Sequence, residues 1–270
     1  MSPQSWYLDT ALVMAVLGLL AGWFVPALIA RVPEPEPAPD GPGGSSETGA
    51  VGGEPAEDTA PHGPETVESA EGVPGEEPKE RYDAIAALPG LRWKAAVASA
   101  AVAALLGARV GWGPELTFLL YLAPVGVALA VIDWRTRLLP TRLIAPSYAV
   151  VAALVLLSGA VSGEWGDVVR AALGWLVAGG TFFVLWFVYP RGMGYGDVRL
   201  SGVLGLALGY LGWSELLTGV YAGFVLGGVG GLLLAVLRVV DRKAYPFGPF
   251  MLAGALAGVL AGPYVAAWYV

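Results

Sequence analysis

Eight apolar runs, separated mostly by short polar or glycine-rich gaps, leave few folds open to this chain. They cover Trp6–Ala30, Ala95–Val110, Leu116–Ile132, Leu143–Ala160, Val168–Val188, Val198–Leu211, Leu216–Val239 and Phe250–Tyr269. A helix needs about 20 apolar residues to cross a bilayer. In lipid every backbone polar group has to be satisfied inside the structure, which favours helices. The expectation is an all-α, polytopic integral membrane protein with about eight transmembrane helices. The run from Val198 is short, and reads as a half-buried helix that continues a glycine-rich turn and is shielded by protein. Composition agrees: 56% of the chain is hydrophobic and 14% charged, where a soluble domain carries about 25% charged residues.

The first run lacks a basic leading segment, carries Asp9 and ends at Arg31 without a small-residue cleavage site. It reads as a retained helix rather than a secretory signal, and residues 1–31 are set apart as a first region. Residues 32–80 are rich in Pro, Gly, Glu, Ser and Ala. Such a stretch buries too little apolar surface to offset its ordering entropy, so a disordered acidic linker is expected there. Residues 81–94 read as a short interfacial helix, with Trp93, Arg92 and Lys94 at the headgroups. Residues 95–270 form the membrane domain.

The net charge of −7 belongs to one segment. Residues 31–94 hold 14 of the 22 acids and 5 of the 15 bases, and the remainder is slightly basic. With eight spans the loops alternate sides, and 13 of the 15 bases fall in one set, leaving Arg109 and Arg170 in the other. The positive-inside rule then puts the basic loops in the cytoplasm and both termini outside.

There are no cysteines, and the one histidine, His62, lies in the acidic segment. Thiolate chemistry, disulfides and histidine-based triads or metal clusters are excluded, and no metal is expected. Eight acids lie outside residues 31–94: Asp9, Glu115, Asp133, Glu164, Asp167, Asp197, Glu215 and Asp241. Most read as loop or helix-start residues, and Asp241 sits in a solvated charge run. Asp133 ends the apolar run from Ala123, and Asp197 follows Gly194-Tyr195-Gly196 at the start of the short span. Both map to the cytoplasmic boundary. Charge at a membrane helix is expensive and marks function. Two carboxylates at one depth can share a proton, one then activating water as base and the other donating to a scissile carbonyl. Asp133 and Asp197 are therefore the candidate catalytic pair, with Gly194, Tyr195 and Gly196 as an active-site loop that bends and admits close approach.

Three ordered motifs carry a resemblance to a known family. Gly192-Met-Gly-Tyr-Gly-Asp197 and the helix after it resemble the GxGD motif of bacterial type IV prepilin leader peptidases, which usually have Lys where Arg199 stands. Ile132-Asp-Trp-Arg-Thr-Arg-Leu-Leu-Pro140 resembles the other aspartate motif. Pro246-Phe247-Gly248-Pro249-Phe250 resembles the element before the last helix. The resemblance implies a GxGD aspartyl protease-like fold with catalytic Asp133 and Asp197, and Pro140, Arg199 and Pro246–Pro249 in support. It implies cleavage of prepilin or pseudopilin leaders at the cytoplasmic face of the bacterial inner membrane, after a glycine, without a cofactor.

The segment Gly22-Trp-Phe-Val-Pro26 through Pro33 is similar to the family's N-terminal segment, with Pro26 for the usual Asn and Trp23 for the usual Ser. Many members follow it with a cysteine-rich zinc loop; here the acidic linker takes its place, and zinc is excluded. That region is associated with a second activity, N-methylation of the new terminus from S-adenosylmethionine, which stays open for this chain. The expected partners are prepilins and the lipid bilayer, not nucleic acid: the glycine loop lacks the strand of a dinucleotide fingerprint. A GxGD protease with another client, a proton- or ion-coupled transporter and an inactive scaffold are the competing readings.

Overall fold

The computed structural model describes residues 6–33, 80–190, 192–236 and 246–269. Those residues form ten helices and no strand. The chain is an all-helical, polytopic membrane protein. Five described helices are long and apolar enough to cross a bilayer: α4 (Leu91–Val110), α5 (Leu116–Thr136), α6 (Thr141–Ser162), α7 (Trp165–Val188) and α10 (Gly248–Tyr269). The helix α9 (Trp213–Val236) has 24 residues. Two of the eight expected spans are shorter: α1 (Leu8–Gly22) has 15 residues and α8 (Tyr195–Leu211) has 17. Broad apolar faces look outward, as on α7, where Leu176, Val184, Phe187 and Val188 are exposed. A face of that size marks a membrane contact.

The first apolar run is not one helix. It breaks after Gly22 and resumes as α2 (Val25–Ala30), with Pro26 in the opening turn. Proline has no N–H to give a preceding turn but suits a helix start. The stretch 81–94 also divides. The helix α3 covers Tyr82–Ala86, the chain turns at Gly90 (φ 75°), and Arg92, Trp93 and Lys94 stand in the first turn of α4. Trp93 meets Trp23 edge to face at 4.6 Å, with Arg92 over the Trp23 ring. The expected disorder of 32–80 falls, apart from residues 32, 33 and 80, outside the described residues, as do Arg191, Arg238, Asp241, Arg242 and Lys243.

Three antiparallel helix pairs build the molecule, each closed along a seam of small residues, as membrane helices close without help from water. Gly18 and Gly22 of α1 lie on Ala103, Ser99 and Ala95 of α4. Gly174 of α7 lies on Gly205 and Gly209 of α8, where a Cβ on Gly205 would stand 2.5 Å from the Gly174 carbonyl oxygen. Gly254 of α10 lies on Gly219 and Gly223 of α9, where a Cβ would stand 2.4 Å from the Gly223 nitrogen.

The two bases of the expected outer loops serve packing. Arg170 donates to the carbonyls of Gly209 (2.8 Å) and Tyr210 at the end of α8, and pairs with Asp167 at 2.9 Å. These bonds satisfy acceptors that a helix terminus leaves open. Arg109 is buried, donates to the Leu260 carbonyl at 3.3 Å and lies over the Tyr264 ring, joining α4 to α10.

Candidate active site

Helices α5 and α8 carry the two aspartates, and their register sets the depth of each. At one end Phe118 of α5 meets Tyr210 of α8 edge to face at 5.5 Å. Fifteen residues on along α5 and thirteen back along α8, rises of about 22 and about 20 Å, stand Asp133 and Asp197. Both side chains are buried, 4% and 7% exposed, and both line one cavity of about 540 Å³.

A backbone amide holds each carboxylate. Oδ2 of Asp133 accepts the Gly248 N–H at 2.9 Å, from the start of α10. Oδ2 of Asp197 accepts the Gly194 N–H at 3.1 Å, while the Asp197 N–H returns to the Gly194 carbonyl at 3.1 Å. Asp197 thus caps its own helix. Among the described residues neither carboxylate is ion-paired with a base.

The glycine loop is more helical than the sequence suggested. Only Gly194 is non-helical, as the extended N-cap of α8 (φ −71°, ψ 145°), and Tyr195, Gly196 and Asp197 already form the first turn. Neither Gly194 nor Gly196 has positive φ. Gly196 is needed for contact instead: a Cβ there would lie 2.7 Å from the Leu139 Cβ. The Leu139 side chain also reaches Gly248, where a Cβ would lie 3.2 Å from Leu139 Cδ2 and 2.8 Å from Asp133 Oδ2. Leu139 is wedged between the glycine that precedes one aspartate and the glycine whose amide holds the other.

The turn that places Leu139 begins at Arg137, a left-handed helix cap (φ 56°) whose N–H bonds the Asp133 carbonyl at 2.8 Å. That conformation costs a non-glycine residue about 1–2 kcal/mol, and strain of this kind gathers at functional sites. Thr136 Oγ1 steadies the turn by donating to the Ile132 carbonyl at 2.9 Å, and Pro140 is the extended N-cap of α6.

The structure brings Asp133, Asp197, Gly194, Pro246 and Phe247 to the cavity, with Gly248 bonded to Asp133. Pro140, Tyr195, Gly196, Arg199 and Pro249 are not among its lining residues. Tyr195 is 43% exposed and packs on Trp186, 4.9 Å between ring centroids. Arg199 lies over the Tyr195 ring and donates to Thr141 Oγ1, tying α8 to the start of α6. Met193, Arg137 and Phe224 also line the cavity. Phe224 stacks on Phe182 at 5.0 Å and meets Phe247 at 5.8 Å, which gives the cavity an aromatic wall. A lone Phe in an apolar helix looks like a lipid-facing one, so no sequence signal marked Phe224.

A family model described as the type IV leader peptidase family matches residues 120–232. A protein of Aeromonas hydrophila named prepilin leader peptidase/N-methyltransferase is 35% identical over 183 residues, 64% of this chain and 58% of its own length. Proteins of the same name from Burkholderia pseudomallei (strain K96243) and Bacillus subtilis (strain 168) are 34% and 26% identical. The first alignment covers 62% of this chain and 53% of the relative, the second 65% and 68%. The chain thus spans little more than half the length of the first relatives it matches. No solved structure matches it. The matched segment holds Asp133, Leu139, Gly194 and Asp197 together, and over residues 120–232 the chain is similar to the type IV leader peptidase family.

Proposed function

We propose that this protein is a membrane aspartic endopeptidase that removes the leader of type IV prepilins or pseudopilins at the cytoplasmic face of the bacterial inner membrane, with Asp133 and Asp197 as its catalytic pair. One observation carries the reading: two buried carboxylates from different helices line one cavity, each held by a backbone N–H from a separate motif. Oδ2 of each accepts an amide N–H, and among the described residues neither Oδ1 has a hydrogen-bond partner.

In the proposed reaction one aspartate is ionised and takes a proton from a water molecule. The water oxygen attacks the scissile carbonyl carbon while the protonated partner donates to the carbonyl oxygen. Collapse of the tetrahedral intermediate breaks the C–N bond, and the amine leaves with a proton from the pair. Phe224 and Phe247 give the cavity an apolar side suited to the start of a pilin's hydrophobic segment.

The relatives' names include N-methyltransferase. S-adenosylmethionine carries a sulfonium cation, which is matched by carboxylates. The cavity beside α1 and α2, in the region that the family resemblance associates with methylation, is lined by Arg31 and Arg142 and by no acid. The arginines match the cofactor's methionine carboxylate and leave the sulfonium unmatched, so N-methylation of the new terminus rests on the relatives' names.

Mass spectrometry of a co-expressed prepilin tests the cleavage. Wild type should yield a mature pilin cut after the leader glycine. Asp133→Asn and Asp197→Asn should each leave the precursor intact while the enzyme stays in the membrane. Processing by either variant would overturn the assignment.

A further inference from the structure

A second cavity, of about 430 Å³, lies between α1 and α2 on one side and α5 and α6 on the other. Most of its wall is apolar, including Phe24, Leu28, Val125 and Pro146. Its polar side chains are Tyr121, Arg31 and Arg142. Tyr121 is satisfied by Ser147, 3.0 Å away. Arg31 and Arg142 are exposed, and among the described residues neither has a hydrogen bond or an ion pair; no carboxylate lines the cavity.

Two cations on the wall of one cavity favour an anion between them. Arg142 stands in the first turn of α6, a helix of 22 residues whose N-cap, Pro140, offers no side-chain cap, so the positive end of the helix adds to the field. Arg31 closes α2. The cations sit at helix ends, and apolar wall continues from them along the membrane helices. That arrangement fits a ligand with an anionic head and a hydrocarbon tail. A free phosphate would leave the wall uncovered, and a neutral lipid would leave the charges unmatched.

We propose that this cavity binds one anionic phospholipid, its phosphate between Arg31 and Arg142 and an acyl chain against Phe24, Leu28 and Val125. The site is separate from the carboxylate pair and does not depend on the protease reading.

Native mass spectrometry of the full-length protein, offered equal amounts of phosphatidylglycerol and phosphatidylcholine with matched chains, tests it. Wild type should retain phosphatidylglycerol in preference, by about fivefold for each arginine engaged. The preference should vanish in Arg31→Gln/Arg142→Gln, persist in Arg142→Lys, which keeps the charge, and persist in Arg92→Gln, whose side chain lies over Trp23 instead. Millimolar inorganic phosphate should not displace the lipid. Equal uptake of the two lipids by wild type would overturn the proposal. So would a preference that survives the double substitution, or displacement by phosphate alone. If the double variant does not fold, Arg142→Gln carries the same test with part of the loss.

Discussion

The Gly248 amide donates to the Asp133 carboxylate at 2.9 Å, across 115 residues of chain. The bond fixes one oxygen of the proposed dyad from the start of α10. It also leaves no room for a larger residue, because a Cβ at position 248 would lie 2.8 Å from Asp133 Oδ2. Gly248→Ala should keep the fold and turn the carboxylate. Displacements of about 1 Å cost on the order of 100-fold in rate. Leader cleavage measured as kcat/KM should fall by that order, with membrane levels unchanged.

Leu139 couples the two aspartate motifs through one contact. A methyl at Gly196 would meet the Leu139 Cβ at 2.7 Å. Gly196→Ala should therefore slow cleavage by pushing the turn and α8 apart. Leu139→Gly alone should slow it too, by loosening the turn. Combined, they should lose less than the sum of the single effects, by about 0.5–3 kcal/mol as contacting pairs do. Additive losses in a double-mutant cycle would remove Leu139 from this role.

Arg170 binds the last carbonyls of α8 and pairs with Asp167. Its replacement by Met should cost stability without touching the chemistry, about 1–3 kcal/mol for acceptors left open. A lower unfolding temperature in detergent, with unchanged kcat in the folded fraction, is the expected result.

Glu115 supplies a pH-dependent test. It is the N-cap of α5, and burial, with a smaller contribution from Asp167, raises its carboxyl above the usual range. The folded protein then binds a proton more tightly there than the unfolded chain does. Stability is full below the unfolded carboxylate range and declines as pH rises through the raised folded value. Glu115→Gln should melt above wild type at neutral pH, and the difference should disappear in acid. Melting curves of both proteins across that span decide it.

Much of this architecture is visible in the order of the residues, because lipid forces helices and the apolar runs mark them. The depth of Asp133 and Asp197 was legible for the same reason: each stands where an apolar run meets a polar gap. Pro26 shows a limit. It interrupts a run that hydropathy reads as continuous, and only its place in the opening turn of α2 shows where the helix restarts. The glycines before Asp197 show another. Their spacing suggests a bent loop, yet two of the three residues before the aspartate are helical. What Gly196 admits is Leu139, 57 positions earlier in the chain. Contacts between distant segments, such as Leu139 with Gly248 or Phe224 with Phe247, depend on how helices pack, and leave no periodic trace.

The amide that fixes Asp133 belongs to the helix inserted last among those described. During synthesis α5 and α8 reach the membrane before Gly248 does, and in that interval Asp133 lacks its anchor. Competence therefore arrives late. A ribosome still translating α10 holds a chain with both acids and no set geometry between them.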